Sequence, residues 1–193
     1  MFVALGDSYT IGEGVAADDT FPARVARALA MPAPVIVAQT GWTTDELDRA
    51  LDGAHLQGPF DLVTLLIGVN DHYRGRAAPA YRPAFASLLG RAIAFGAGDP
   101  RRVIVLSIPD WSVTPFAAGR DRAKIAAGID AFNAVNREEA ALAGAPYADI
   151  TPLSRAAADD TSLLAADGLH PSGRMYERWL DVILPIAREI VNR

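Results

Sequence analysis

Four short segments hold the residue types that acyl transfer needs: Gly6-Asp7-Ser8-Tyr9, Gly41-Trp42-Thr43-Thr44, Gly68-Val69-Asn70-Asp71 and Asp167-Gly168-Leu169-His170. A serine hydroxyl is a poor nucleophile until a base takes its proton, so Ser8 needs a histidine. His170 is placed to be that base. Asp167, three residues earlier, can hold the other ring N–H and fix the tautomer. The charge that develops on an attacked carbonyl oxygen also needs donors aimed at it. The backbone N–H groups of Ser8 and Gly41 and the side-chain amide of Asn70 are the candidates. Glycine at 41 lets a substrate approach the backbone closely, and asparagine donates without carrying charge.

Taken singly, each segment has a plainer reading. Ser8 is a turn or cap residue, and Asp7 accepts backbone hydrogen bonds that stiffen the turn. Asn70-Asp71 is a turn, and His170-Pro171-Ser172 leads into a helix with Ser172 as its N-cap. Only elements that bring the four together give them joint chemistry.

Those elements are legible. Apolar runs at Phe2–Leu5, Val35–Ala38, Leu62–Ile67, Val103–Leu106 and, more weakly, Tyr147–Ile150 read as strands. Between them lie stretches of helical period. Phe21, Val25, Ala28 and Leu29 share one face, as do Leu47, Ala50, Leu51 and Ala54, with Thr43 and Glu46 as a capping box. Phe85, Leu88, Leu89 and Ala92 mark a third helix, and Ile125, Ile129 and Phe132 a fourth. The last starts near Ser172 and turns Tyr176, Leu180, Ile183, Leu184 and Ala187 inward, with a kink expected at Pro185. Strand–helix alternation implies parallel strands with helices on both faces. The expectation is one α/β domain over residues 1–193, a three-layer α/β/α sandwich on a flavodoxin-like five-stranded parallel sheet. Ligands bind such sheets beyond the carboxyl ends of the strands. Those ends are where the first three segments fall, together with Pro109-Asp110-Trp111, and the long segment after the fifth run ends in the fourth.

In this order, each after its own strand, the four segments resemble the conserved blocks of SGNH hydrolases, the GDSL esterase and lipase family. The resemblance runs essentially end to end. It implies Ser8 as nucleophile, Gly41 and Asn70 as oxyanion donors, His170 as base and Asp167 as its orienting acid. It also implies a serine esterase that works through an acyl-enzyme. One departure is Ala38-Gln39-Thr40, where the family often carries an asparagine shortly before the glycine. Because Gly41 would act through its backbone, this bears on loop packing more than on chemistry. The G-x-S-x-G elbow of the other large serine-hydrolase fold is absent around Ser8.

Trp42, His72, Tyr73, Arg74, Asp110 and Trp111 are the expected substrate contacts. The loop from Trp111 to Gly119, with Pro115 and Phe116, is the expected specificity wall. His55 reads as a surface residue at a helix end, and Asp159-Asp160 as a solvated loop. Small or short acyl groups are expected, since no amphipathic lid offers a long chain a dry groove.

Composition narrows the classes. The chain has 193 residues, 51% hydrophobic and 21% charged, an ordinary globular balance. A net charge of −5 does not suit a nucleic-acid or anionic-membrane binder. Zero cysteines exclude thiolate chemistry and cysteine zinc sites, and three dispersed histidines speak against a metal site. Gly12-Glu13-Gly14 lacks the third glycine of a dinucleotide fingerprint, so no cofactor is expected. No run suits a membrane span or a signal peptide, and the chain reads as cytoplasmic. Nothing in the pattern sets an oligomeric state. A small-molecule ester is the expected partner. Two other readings stand beside hydrolysis: an acyltransferase on the same site, and a flavodoxin-like protein holding a phosphate at its helix N-termini. The second leaves the coincidence of Ser8, Asn70, Asp167 and His170 unexplained.

Overall fold

The strand β1 (Phe2–Gly6) is buried along its whole length, as its all-apolar sequence demands of a strand covered on both faces. In the computed structural model, which describes residues 1–192, it is followed by a short helix α1 (Ser8–Ile11) and by α2 (Phe21–Ala28). Then come β2 (Val35–Ala38), α3 (Thr44–Gly53), β3 (Leu62–Leu66), α4 (Val69–Tyr73) and α5 (Ala78–Phe95). The chain continues through β4 (Val103–Leu106), α6 (Arg122–Ala143), β5 (Tyr147–Ala148), α7 (Thr151–Arg155) and α8 (Gly173–Val191). All five strands are parallel, in the order β2-β1-β3-β4-β5. Helices α2 and α8 pack together, and α5 packs with α3 and α6, which makes the three layers expected.

Some details differ from expectation. The buried face of α2 is Phe21, Pro22, Val25 and Ala26, while Ala28 is exposed because the helix ends there. β5 is two residues long, since Asp149 and Ile150 already turn toward α7. α8 runs unbroken through Pro185. Pro185 and Asp181, whose carbonyl loses its partner, are both exposed, so water can take up the freed acceptor. The Thr43–Glu46 capping box and the Ser172 N-cap form as expected. Among the described residues no helix is long and apolar enough to cross a membrane.

Gly68 sets how the chain leaves β3. Its φ of +120° is one that side-chain-bearing residues rarely adopt, and a Cβ there would lie 2.7 Å from the Tyr81 hydroxyl. Tyr81 is itself fixed, donating to Asn136 Oδ1 at 2.8 Å in the core. The Gly68 turn is therefore what aims α4, and with it Asn70, over the end of the sheet. A Gly68→Ala variant is expected to lose roughly 1–3 kcal/mol of stability to the strained backbone, and more if Tyr81 must move. Chemical denaturation read against wild type checks this.

Candidate active site

The side chains of Ser8, His170 and Asp167 meet beyond the carboxyl ends of β1 and β3. Asp7 caps α1, its Oδ1 accepting from the Tyr9 N–H at 3.0 Å, and so turns Ser8 into the first helical position. Ser8 Oγ lies 3.0 Å from His170 Nε2, and His170 Nδ1 lies 2.5 Å from Asp167 Oδ2. The other Asp167 oxygen accepts from the Leu169 and His170 N–H groups at 2.9 and 3.0 Å. Burial alone would raise the Asp167 carboxyl, but the His170 ring and these two N–H groups together hold it below its ordinary value. It remains an anion facing the imidazole. Ser8 and His170 are 5% and 8% exposed, so their hydrogen bond sits in a largely dry place. Tyr9 packs edge-on against the imidazole at 5.6 Å.

Ser8, Gly41 and Asn70, the expected oxyanion donors, line one cavity. The N–H groups of Ser8 and Gly41 bond to no protein acceptor among the described residues. Asn70 Nδ2 donates one hydrogen to the Trp42 carbonyl at 2.9 Å and keeps its second free. Asn70 thus both ties the loop after β2 and retains a donor. Gly41 has a φ of +83°, the left-handed region that glycine tolerates best.

A cavity of about 170 Å³ opens on these groups, lined by Ser8, Gly41, Asn70 and His170 on one side. Tyr73, Trp111 and Phe116 form an aromatic wall on it, with ring centroids 5.7 to 6.1 Å apart. Arg120 lies 5.2 to 5.5 Å from all three ring centroids and donates to the Tyr73 hydroxyl at 3.2 Å. The Phe116 N–H donates to the Gly168 carbonyl at 3.3 Å, which joins this wall to the loop carrying Asp167 and His170.

Of the six expected substrate contacts, Tyr73 and Trp111 line the cavity and four do not. Trp42 offers only its carbonyl, while its ring packs against the core. His72 lies behind the wall, edge-on to Trp111 and Phe132, where burial lowers its pKa against the pull of Asp110. Arg74 sits behind Gly41, donating to its carbonyl at 2.7 Å. Asp110 is buried beneath the wall, accepting from the Ser112 N–H and pairing with Arg155 at 2.9 Å. Tyr9, Thr40, Val69 and Leu169 line the cavity without having been expected there. Each is the chain neighbour of a residue singled out for chemistry, which was the available signal. Asp160 caps the turn at Thr161–Leu163, and His55 is exposed.

The fold is a three-layer α/β/α sandwich on a five-stranded parallel sheet, with a Ser–His–Asp arrangement at the sheet edge. The chain belongs to the GDSL-like Lipase/Acylhydrolase family, which matches residues 4–178, and is accordingly a serine ester hydrolase. No curated protein gives a match. Among solved structures, TesA is 23% identical, with 98% of each chain covered and a TM-score of 0.74. The psychrotrophic esterase EstA from Pseudoalteromonas sp., in a structure inhibited by monoethylphosphonate, is 17% identical, with 100% of this chain and 98% of that one covered and a TM-score of 0.73. A lipase/acylhydrolase from Enterococcus faecalis is 24% identical, with 100% and 95% covered and a TM-score of 0.72.

Asp7 generates a prediction of its own. Burial pushes its carboxyl up from 3.8 to about 8, the Tyr9 N–H opposes this, and the charge of Asp71 adds to it. Its Oδ2 has no partner. Because the folded pKa lies above the unfolded one, the native state binds the extra proton between these values, and stability falls as pH rises from about 4 toward 8. Asp7→Asn is expected to remove that slope. Urea denaturation of both proteins at pH 5 and 8 measures it, and parallel pH dependences in the two would refute it.

Proposed function

We propose that the protein hydrolyses small or short-acyl carboxylic esters through an acyl-enzyme on Ser8. The single observation carrying this is the run Ser8 Oγ to His170 Nε2 at 3.0 Å and His170 Nδ1 to Asp167 at 2.5 Å. Ser8 Oγ attacks the ester carbonyl carbon as His170 Nε2 takes its proton. The carbonyl oxygen becomes an oxyanion facing the N–H groups of Ser8 and Gly41 and the free hydrogen of Asn70. When the intermediate collapses, the C–O bond to the alcohol breaks and His170 returns the proton to the departing oxygen. Water then attacks the acyl-enzyme by the same route, giving the acid and free Ser8. Asp167 stays ionised throughout and stabilises the imidazolium.

The preference for small groups rests on the cavity. About 170 Å³ is close to the ~150 Å³ of an apolar cavity that accommodates benzene, and the aromatic wall closes its far side. A long chain would have to leave it and lie on exposed surface. Activity is therefore expected to peak at short acyl lengths in a series of esters from acetyl to palmitoyl. A steady rise in kcat/KM to palmitoyl would overturn that part of the reading.

The nucleophile is tested by treating the protein with an alkylphosphonate and mapping the adduct by mass spectrometry. The adduct is expected on Ser8, and Ser8→Ala is expected to lose both labelling and hydrolysis. Asn70→Ala is expected to lower kcat by about 10²–10³ with a smaller effect on KM. A folded Asn70→Ala protein with normal kcat would remove Asn70 from the oxyanion site. Product analysis with and without an added acceptor alcohol distinguishes hydrolysis from acyl transfer.

A further inference from the structure

Two of the three proposed oxyanion donors are backbone N–H groups, so their aim depends on how the backbone is held. Ser8 is held by α1. Gly41 has no such frame. It follows an edge strand, between the exposed Thr40 and the half-buried Trp42, and the turn around it contains one backbone hydrogen bond, Trp42 N–H to Gln39 carbonyl at 3.2 Å. Glycine accepts φ of either sign, so nothing in its own stereochemistry keeps this stretch of backbone in one place. A shift of the Gly41 α-carbon would carry the N–H away from the oxyanion.

Restraint comes from outside. Arg74 Nη2 donates to the Gly41 carbonyl at 2.7 Å, and its Nη1 donates to Glu46 Oε1 at 3.1 Å. Glu46 is anchored in turn, its Oε2 accepting from the Thr43 N–H at 2.8 Å and the Thr43 hydroxyl at 3.0 Å. The Thr43 N–H first, and the guanidinium next, hold the Glu46 carboxyl below its ordinary range, so it is charged wherever the enzyme would work. Asn70 lies four residues before Arg74, which caps the C-terminus of α4, and takes the next carbonyl, that of Trp42, at 2.9 Å. Glu13 accepts from the Thr40 hydroxyl on the other side of Gly41. Arg74 does not line the cavity. Its planar fork satisfies the Gly41 carbonyl and Glu46 together, which a lysine's single ammonium matches less well.

We infer that Arg74 is a positioning residue, clamping the Gly41 carbonyl to the first turn of α3 and so fixing the place of the Gly41 α-carbon, from which its N–H reaches the oxyanion. This rests on the acyl-enzyme reading above. It acts on the transition state and leaves ground-state binding alone.

The test compares wild type, Arg74→Ala, Arg74→Lys and Arg74→Gln on one short-acyl ester. It adds affinity for a trifluoromethyl ketone, which forms an oxyanion on the serine, and melting temperature. Arg74→Ala is expected to lower kcat by roughly ten- to a hundred-fold, the scale of a small misplacement of reacting groups, with KM little changed. Ketone affinity is expected to weaken in step with kcat while the melting temperature holds, and Arg74→Lys to recover part of the rate. Normal kcat and ketone affinity in Arg74→Ala would overturn the inference. So would a loss that appears in KM or follows the melting temperature. If the alanine variant does not fold, Arg74→Gln, which keeps one donor, must show the same split between kcat and KM. A wild type that hydrolyses no ester and takes no phosphonate on Ser8 defeats the underlying reading. A labelled, active wild type beside an unimpaired Arg74→Ala defeats the clamp alone.

Discussion

The hydrogen-bond ladders on both sides of β1 are the constraint on which the rest depends. Gly6 pairs in register with Ala38 of β2 and with Leu66 of β3, so three parallel strands end level with one another. The chain then leaves β1 toward β2 on one side, while β3 connects onward to β4 on the other. That reversal opens a crevice between the departing segments. Ser8, Gly41 and Asn70 come from those three segments. They converge because the strands are parallel and in register, with no need for any one loop to be long or unusual.

A second regularity lies just beneath this edge. Asp7, Asp71 and Asp110 each follow a strand and are each 1–2% exposed. Each also organises the backbone beyond it. Asp7 caps α1, Asp71 accepts from the Thr44 N–H and hydroxyl, and Asp110 caps the turn at Trp111–Val113. Asp71 and Asp110 have arginine partners, Arg76 at 2.8 Å and Arg155 at 2.9 Å. Asp7, nearest the nucleophile, has none. Buried carboxyls fix chain exits that apolar side chains could not, because they accept from N–H groups that the strand ends leave open. Two of them are held by charge, and Asp7 by the Tyr9 N–H.

Much of this was legible in the chain. Leu62-Val63-Thr64-Leu65-Leu66-Ile67 reads as a strand buried on both faces, and Thr43 with Glu46 reads as a helix start, because both are local patterns. Ser8 stood out by its place just after a strand, and Asp167 and His170 by their residue types three apart ahead of the last helix. The side-chain contacts across loops were not. Arg74, expected in the cavity, turns behind Gly41, and His72 turns into the space beside Phe132. Proximity along α4 gives both residues an equal claim to the cavity, and only the packing of α6 and the anchored Glu46 decide between them. Asp110 stands next to a cavity residue, Trp111, yet its carboxylate is taken up by the Ser112 N–H of the turn that it caps and by Arg155. Ala28 satisfies helical periodicity but comes after the core has closed over α2.

The aromatic wall and the Ser–His–Asp arrangement belong to different stretches of chain, and this shapes how such a protein can diverge. Tyr73, Phe116 and Arg120 are surface residues that stack mainly on one another and on Trp111, so their identities can drift while the sheet and its hydrogen-bonded edge stay intact. Lengthening the chain is a different matter. The Phe116 N–H is bonded to the Gly168 carbonyl, and Pro115 lies within 3.3 Å of where a Gly168 side chain would begin. An inserted residue between Thr114 and Ala118 would therefore push on the segment that carries Asp167 and His170. Lineages descending from such a chain are free to exchange side chains around the cleft, but its length in that stretch is inherited together with the chemistry.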